Sequence, residues 1–249
     1  PLNLSGSRAY DSTRTASGSD LSFTNIVSGE TLGLTGSGVL DSPAAGTRTI
    51  VNTNTLAISD GSGIASNYTL TNGTLTMTIV PRSTTVSGTK TYDGTTNVSS
   101  SNLTSFSNLA GSDTLSLSGT GTISSADVGT GKTVNTSGLT IDNSSGVGTN
   151  YTLSSATVNV TERVIGLSGV RAFDGTNNAS SADLSISNLV SGENLTLSGS
   201  GTVPNATVEM NKAITLGSLS ISDGSGGKSS NYTLTGGSHT LDISQLSVN

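Results

Sequence analysis

The chain has 249 residues, room for one large domain or two to three small ones, and carries 10 Lys and Arg against 16 Asp and Glu, a formal charge of -6. No basic stripe is available for a phosphate backbone or an anionic lipid surface, so nucleic acid is set aside as a partner. There is no cysteine, so neither disulfides nor thiolate-held metals support the fold.

Apolar residues make up 31% and aromatics 3%, which predicts small aliphatic cores of modest stability. No apolar run approaches the roughly 20 residues of a membrane helix, so no membrane insertion is expected. The start, Pro1-Leu2-Asn3-Leu4-Ser5, lacks the basic and apolar regions of a signal peptide, and any export signal is expected outside this fragment.

In chain order, Ser5-Gly6-Ser7-Arg8-Ala9-Tyr10-Asp11 puts Arg8 and Tyr10 two residues apart, hence on one face of a strand. Gly29-Glu30-Thr31-Leu32-Gly33-Leu34 follows and leads into a glycine-containing Ser/Thr turn. Asn67-Tyr68-Thr69-Leu70 then precedes Asn72-Gly73, a pair that accepts positive φ at both residues and predicts a tight hairpin. Its second arm, Thr74-Leu75-Thr76-Met77-Thr78-Ile79, alternates small polar with apolar residues, which places the apolar side chains on one strand face. No stretch shows a comparable helical period.

The whole series then returns. Ser87-Gly88-Thr89-Lys90-Thr91-Tyr92-Asp93 and Ser168-Gly169-Val170-Arg171-Ala172-Phe173-Asp174 repeat the opening at offsets of 82 and 81. Gly111-Ser112-Asp113-Thr114-Leu115-Ser116-Leu117 and Gly192-Glu193-Asn194-Leu195-Thr196-Leu197 repeat the second segment. Asn150-Tyr151-Thr152-Leu153 and Asn231-Tyr232-Thr233-Leu234 repeat the third at offsets of 83 and 81. Ala156-Thr157-Val158-Asn159-Val160 alternates in the same way, and Gly236-Gly237 stands where Asn72-Gly73 does. Two independent anchors give one period, and a fixed period outranks local propensity in deciding architecture.

Units of about 80 residues are too long for solenoid rungs and suit self-contained domains. The expectation is an all-β chain of three tandem small β-sandwich-like domains, with a β-grasp-like fold as the alternative, in an elongated rod. Repeat 1 is placed at 1–81, repeat 2 at 82–163 and repeat 3 at 164–249. The linkers Val80-Pro81-Arg82-Ser83 and Thr161-Glu162-Arg163-Val164 are short enough to restrict bending. Domains of roughly 30 to 40 Å would make a rod of roughly 100 Å. The third copy closes near where a fourth Ser-Gly anchor would begin, the pattern expected of a piece of a longer array.

The recurrent anchors are the candidate sites. For Tyr10 and Asp11, Tyr92 and Asp93, and Phe173 and Asp174, a ligand-binding role competes with a structural one. In the preferred structural reading the aromatic is a core or domain-edge residue and the stem of Arg8, Lys90 or Arg171 lies across it. Asp93 and Asp174 then make Asx turns with Gly94 and Gly175. Tyr68, Tyr151 and Tyr232, scarce large side chains, are expected as core or domain-edge anchors. Asp60, Asp142 and Asp223, in Asp60-Gly61-Ser62-Gly63, Asp142-Asn143-Ser144 and Asp223-Gly224-Ser225-Gly226, are the calcium candidates, but Ca²⁺ takes about six to eight oxygens and neither EF-hand nor nonapeptide spacing is present. Turn chemistry is preferred, and no cofactor is expected. His239 is the sole histidine, which leaves two copies without a triad base, and a working carboxylate pair needs a cleft that units this small scarcely offer. No catalytic residue and no enzyme activity are expected.

Tyr92-Asp93-Gly94-Thr95-Thr96, the ~81-residue period and the Asn-Tyr-Thr-Leu close resemble the YDG-type repeats of large bacterial surface exoproteins, the filamentous-haemagglutinin-like adhesins exported by two-partner secretion. The resemblance covers essentially the whole chain; the first copy departs with Asp11-Ser12 and the third with Phe173. It implies an extracellular location, at the bacterial cell surface or in a biofilm matrix, and a stalk or spacer role in adhesion, with no catalytic residues to carry over. The expected partners are other repeats of the same longer chain. Two further readings stay open: a module binding a glycan or a host or bacterial surface ligand through repetition, and homotypic cell–cell association through low-charge strand edges.

Overall fold

The computed structural model describes residues 1–246. The protein is almost wholly strand and turn, with six 3₁₀ turns of three residues each among the described residues. It folds into two compact units: the first comprises Pro1–Ser87, Ser99–Gly121 and Asn135–Ala156, and the second comprises Gly88–Val98, Thr122–Val134 and the chain from Thr157 onwards. Each unit therefore holds one outer repeat together with part of the middle one.

In the first unit the main sheet runs in the order Thr15–Ser17, Ser37–Leu40, Gly46–Asn52, Thr76–Val80, Leu4–Ala9, Leu21–Phe23. Leu4–Ala9 and Thr76–Val80, the first and last strands of the repeat, lie side by side and parallel, with Ser7 opposite Thr78 and Ala9 opposite Val80. Parallel neighbours need a long crossover, and the rest of the repeat supplies it; the other pairs are antiparallel. The alternation read from the sequence decides which face is buried. Met77 and Ile79 point into the core with Leu4, Leu40 and Ile50, while Thr78 points out. Leu32–Thr35 and Ala57–Asp60 form a separate two-stranded sheet, and Leu34 and Leu56 pack against that core.

The second unit repeats the plan. Gly166–Ala172 and His239–Ser244 are parallel, from Leu167 opposite His239 to Ala172 opposite Ser244. Leu184–Ser187 and Glu209–Ala213 flank them antiparallel. Leu167, Leu241 and Ile243 are buried on the inner face. The all-β, tandem-repeat expectation holds: a mixed sheet with a parallel central pair recurs, beside a small separate antiparallel pair of strands. The Ser-Gly of the opening anchor has a steric reason: a Cβ on Gly6 or Gly169 would stand 1.9 Å from the carbonyl oxygen of Asp20 or Asp183, where a 3₁₀ turn crosses the strand.

One local expectation fails. Asn72 does take φ 62°, and the Gly73 N–H closes on the Leu70 carbonyl at 3.2 Å, but no hairpin forms. Both flanks of the turn line the same opening segment, through Leu2 N–H to the Thr69 carbonyl at 2.7 Å and Leu4 N–H to the Thr74 carbonyl at 3.0 Å. Around Gly236-Gly237, likewise, Tyr232–Thr233 runs parallel to Arg163–Val164 and His239–Ser244 runs parallel to Gly166–Ala172. The turn is an outward loop in a strand that keeps one partner. The middle repeat has no glycine there, and Tyr151–Thr161 is one unbroken strand. Turn propensity set the local φ; the partner already in place decided against reversal.

Candidate functional site

The opening anchor ends in a clasped loop. Lys90 Nζ, buried, donates to the carbonyls of Thr95 at 2.7 Å and Asn97 at 2.6 Å and pairs with Asp93 at 2.8 Å. Asp93 Oδ1 accepts from the N–H and the hydroxyl of Thr95, both at 2.9 Å. Arg8 pairs with Asp11 and donates to the Thr13 carbonyl at 2.7 Å, and Arg171 pairs with Asp174 and donates to the Thr176 carbonyl at 2.6 Å. The left-handed residue is Gly94 at φ 75° and Gly175 at φ 79°, but Ser12 at φ 67° in the first copy. Burial pushes the Asp11 and Asp93 carboxyls up, yet the threonine and basic partners outweigh it and hold both below the usual value. The basic side chain thus fastens the loop that follows each aromatic.

The Asn-Tyr anchor is delivered by a 3₁₀ turn. Ala65–Asn67, Gly148–Asn150 and Ser229–Asn231 each end on the asparagine and release the tyrosine in extended conformation. Asp60 Oδ1 accepts from Ala65 N–H at 2.7 Å, and Asp223 Oδ1 accepts from Ser229 N–H at 2.8 Å. In the middle repeat Asn143 does this, accepting from Gly148 N–H at 2.7 Å, while Asp142 sits beside it in the strand opposite Ser116. Two of the calcium candidates thus cap the turns that aim the tyrosines. Among the described residues no three His, Cys, Asp or Glu side chains cluster as metal ligands.

The two anchors meet between successive repeats. In the first unit Tyr10 and Tyr151 pack edge to face, centroids 5.4 Å apart at 77°, and both hydroxyls donate to Asp113 Oδ2, at 3.1 and 2.7 Å. The Ala110 N–H in turn donates to the Tyr151 hydroxyl at 3.0 Å. In the second unit Tyr92 and Tyr232 pack edge to face at 5.4 Å and 79°, and their hydroxyls donate to Glu193, Oε1 at 2.5 Å and Oε2 at 2.7 Å. Val190 N–H caps the Tyr232 hydroxyl at 3.1 Å. All four rings are buried. Burial first, and the carboxylate second, raises every one of these phenols above 10, Tyr151 to about 12. The buried asparagine beside each tyrosine completes the contact: Asn150 Oδ1 accepts from Ala45 N–H at 2.8 Å, and Asn231 Oδ1 accepts from Val128 N–H at 2.9 Å. Each joint ties a buried ring pair to one carboxylate and one backbone N–H, an arrangement that holds surfaces together.

The YDG domain family matches residues 2–77, 74–158 and 161–240. The chain belongs to the YDG domain family. No curated protein and no solved structure matches it.

The name-giving triplet, Tyr92-Asp93-Gly94 here, splits its work: the tyrosine enters the joint, and the aspartate and glycine turn the chain behind it. The outer YDG repeats each show half a joint. In repeat 1 the Tyr68 hydroxyl donates to Glu30 Oε2 at 2.5 Å, but Tyr68 is only half-buried. In repeat 3 Phe173 stands in the place of Tyr10 and Tyr92 and is 40% exposed, against 5% for each tyrosine. Sequence reasoning missed Glu30, Asp113 and Glu193 as tyrosine partners, and also Arg82, whose guanidinium donates to the Tyr10 carbonyl at 3.3 Å and to Asn108 Oδ1 at 2.7 Å. The signal was present: an acid falls at one place in all three copies of a chain with only 16.

Proposed function

We propose that these YDG repeats are a structural stalk of a bacterial surface adhesin or biofilm-matrix exoprotein, spacing an adhesive region from the cell. The observation that supports this reading is the joint itself. At Tyr10, Asp113 and Tyr151, and again at Tyr92, Glu193 and Tyr232, successive repeats bury an aromatic pair and hydrogen-bond it to one carboxylate. Domains that swing on a linker have no use for such contacts, since relative motion is the default unless an interface resists it. A spacer works through length and resistance to bending, so the reading assigns no catalytic residue and no cofactor. The extracellular setting rests on the resemblance to adhesin repeats.

Small-angle X-ray scattering, with and without EDTA, tests the proposal. The expected result is a maximum dimension near 100 Å that EDTA leaves unchanged, the roughly 100 Å following from strand rise and usual strand lengths. A compact particle contradicts the spacer reading. Bending on EDTA addition would instead bring Asp60, Asp142 or Asp223 into the mechanism as calcium ligands.

A further inference from the structure

In every copy the first and last strands of the repeat are neighbours inside the main sheet. Leu4–Ala9 and Thr76–Val80 run parallel, with Ser7 opposite Thr78 and Ala9 opposite Val80, and each has a further strand on its other side. In repeat 3 the parallel ladder is longer: Arg163 and Val164 face Tyr232 and Thr233, and Leu167 to Ala172 face His239 to Ser244. In the middle repeat Arg82–Thr91 and Tyr151–Thr161 are likewise neighbours. One bond closes the ladder at the same place each time: Tyr10, Tyr92 and Phe173 donate their N–H to the carbonyls of Val80, Thr161 and Ser244, at 2.9 Å in all three. The pair also carries the core, with Leu4, Met77 and Ile79 buried in repeat 1 and Leu167, Leu241 and Ile243 in repeat 3.

The route of the chain through this pair decides how tension acts on it. The chain enters a repeat at the start of the first strand and leaves from the end of the last, and in a parallel pair those two points lie at opposite ends. Pulling on both slides one strand along the other, so the ladder bonds are loaded together. An antiparallel hairpin pulled from its open end gives them up one at a time. Little slack intervenes between copies, because Pro81 alone separates Thr76–Val80 from Arg82–Thr91, and Glu162 alone separates Tyr151–Thr161 from Arg163–Val164.

We infer that each repeat is a shear clamp that carries tension along the chain. Its resistance is set by the direction of load and by the unfolding barrier, since forced unfolding follows the unfolding rate and not the modest net stability of a small core. The clamp belongs to the topology of a single repeat, so it stands whether or not the repeats act as a spacer.

Single-molecule pulling on repeat 3 within the full chain tests this, because the direction of load can be changed while the fold stays the same. The chain has no cysteine, so introduced pairs of cysteines fix the two handles. Glu162→Cys with Gln245→Cys grips the start of the first strand and the end of the last, the shear direction. Glu162→Cys with Ser230→Cys grips both strands at their starts, where Arg163 stands opposite Tyr232, and peels the pair apart. All three positions are exposed, and matching thermal melts establish that both variants keep the parent stability. At one loading rate, the unfolding force between Glu162 and Gln245 is expected to be several-fold higher than that between Glu162 and Ser230. A shear force no higher than the peeling force overturns the inference.

Discussion

The two joints solve one problem with carboxylates of different length. Asp113 receives Tyr10 and Tyr151 on a single oxygen, Oδ2, at 3.1 and 2.7 Å, whereas Glu193 gives Oε1 to Tyr92 at 2.5 Å and Oε2 to Tyr232 at 2.7 Å. The ring pairs barely differ, 5.4 Å in both, so the aromatic geometry sets the joint and the acid adapts to it. The second joint also carries an ion pair, Lys228 Nζ to Asp127 Oδ2 at 2.7 Å, and Asn231 Nδ2 donates to Asp127 Oδ1 at 2.9 Å. In the first joint Val147 and Ala44 occupy those places and leave no charge. The comparison teaches that the rings are common to both joints and the rim charges belong to one.

Removing a ring should therefore have the largest effect, and a similar one on both sides. Tyr151→Ala and Tyr232→Ala are each expected to cost about 3 to 5 kcal/mol, by analogy with buried Phe→Ala changes, measured by urea unfolding. Unequal losses would mean that the two ring pairs are not equivalent.

Alkaline pH attacks both joints through the same groups. The folded chain keeps the phenols protonated, so above pH 10 it binds more protons than the unfolded chain, and stability falls as pH rises. The stabilisation is fully present below the unfolded tyrosine value of 10.0 and is lost as pH climbs through the folded values, about 12 for Tyr151. Absorbance titration of tyrosinate against thermal melts should show one transition coupled to the other; ionisation without loss of stability would contradict the burial assigned to these rings.

The carboxylates separate the joints. An amide offers one acceptor oxygen, which is all that the first joint uses, so Asp113→Asn should cost under about 1 kcal/mol. Glu193→Gln must give up one of two hydrogen bonds to a charged group and should cost about 1.5 to 3 kcal/mol. The reverse order would refute the one-oxygen, two-oxygen distinction. Smallest is Lys228→Ala, which should touch only the second joint and vanish in high salt, because the pair is exposed. The Lys228 and Asn231 partners hold Asp127 down to about 2, so this contribution is present above the unfolded value of 3.8 and lost as pH falls toward 2. A Lys228→Ala chain should lose part of that acid sensitivity and keep the part that the Asn231 hydrogen bond supplies.

What the sequence disclosed was local or periodic. The repeat period, the strand faces of Met77 and Ile79, and the Asx turns at Asp93 and Asp174 involve residues a few places apart, and all are present. Where the Lys90 ammonium ends was not legible, because strand spacing gives the face of a side chain and not the loop carbonyls that its head reaches. The hairpin at Asn72-Gly73 was misread, since a turn signal does not report that the strand already has a parallel partner. The joints were out of reach for a further reason: Tyr10 and Asp113 lie 103 residues apart and Tyr92 and Glu193 lie 101 apart, more than one period. Within one copy, each tyrosine and each acid is half a motif.

The central claim is that these joints hold neighbouring repeats fixed, and distances between spin labels across the second joint test it most directly. The chain has no cysteine, so cysteines placed at the exposed positions Thr130 and Ser222 take label at those sites alone. The account predicts one narrow distance distribution in the native chain that broadens in Glu193→Ala. A broad distribution already in the native chain, unchanged by that substitution, would contradict it.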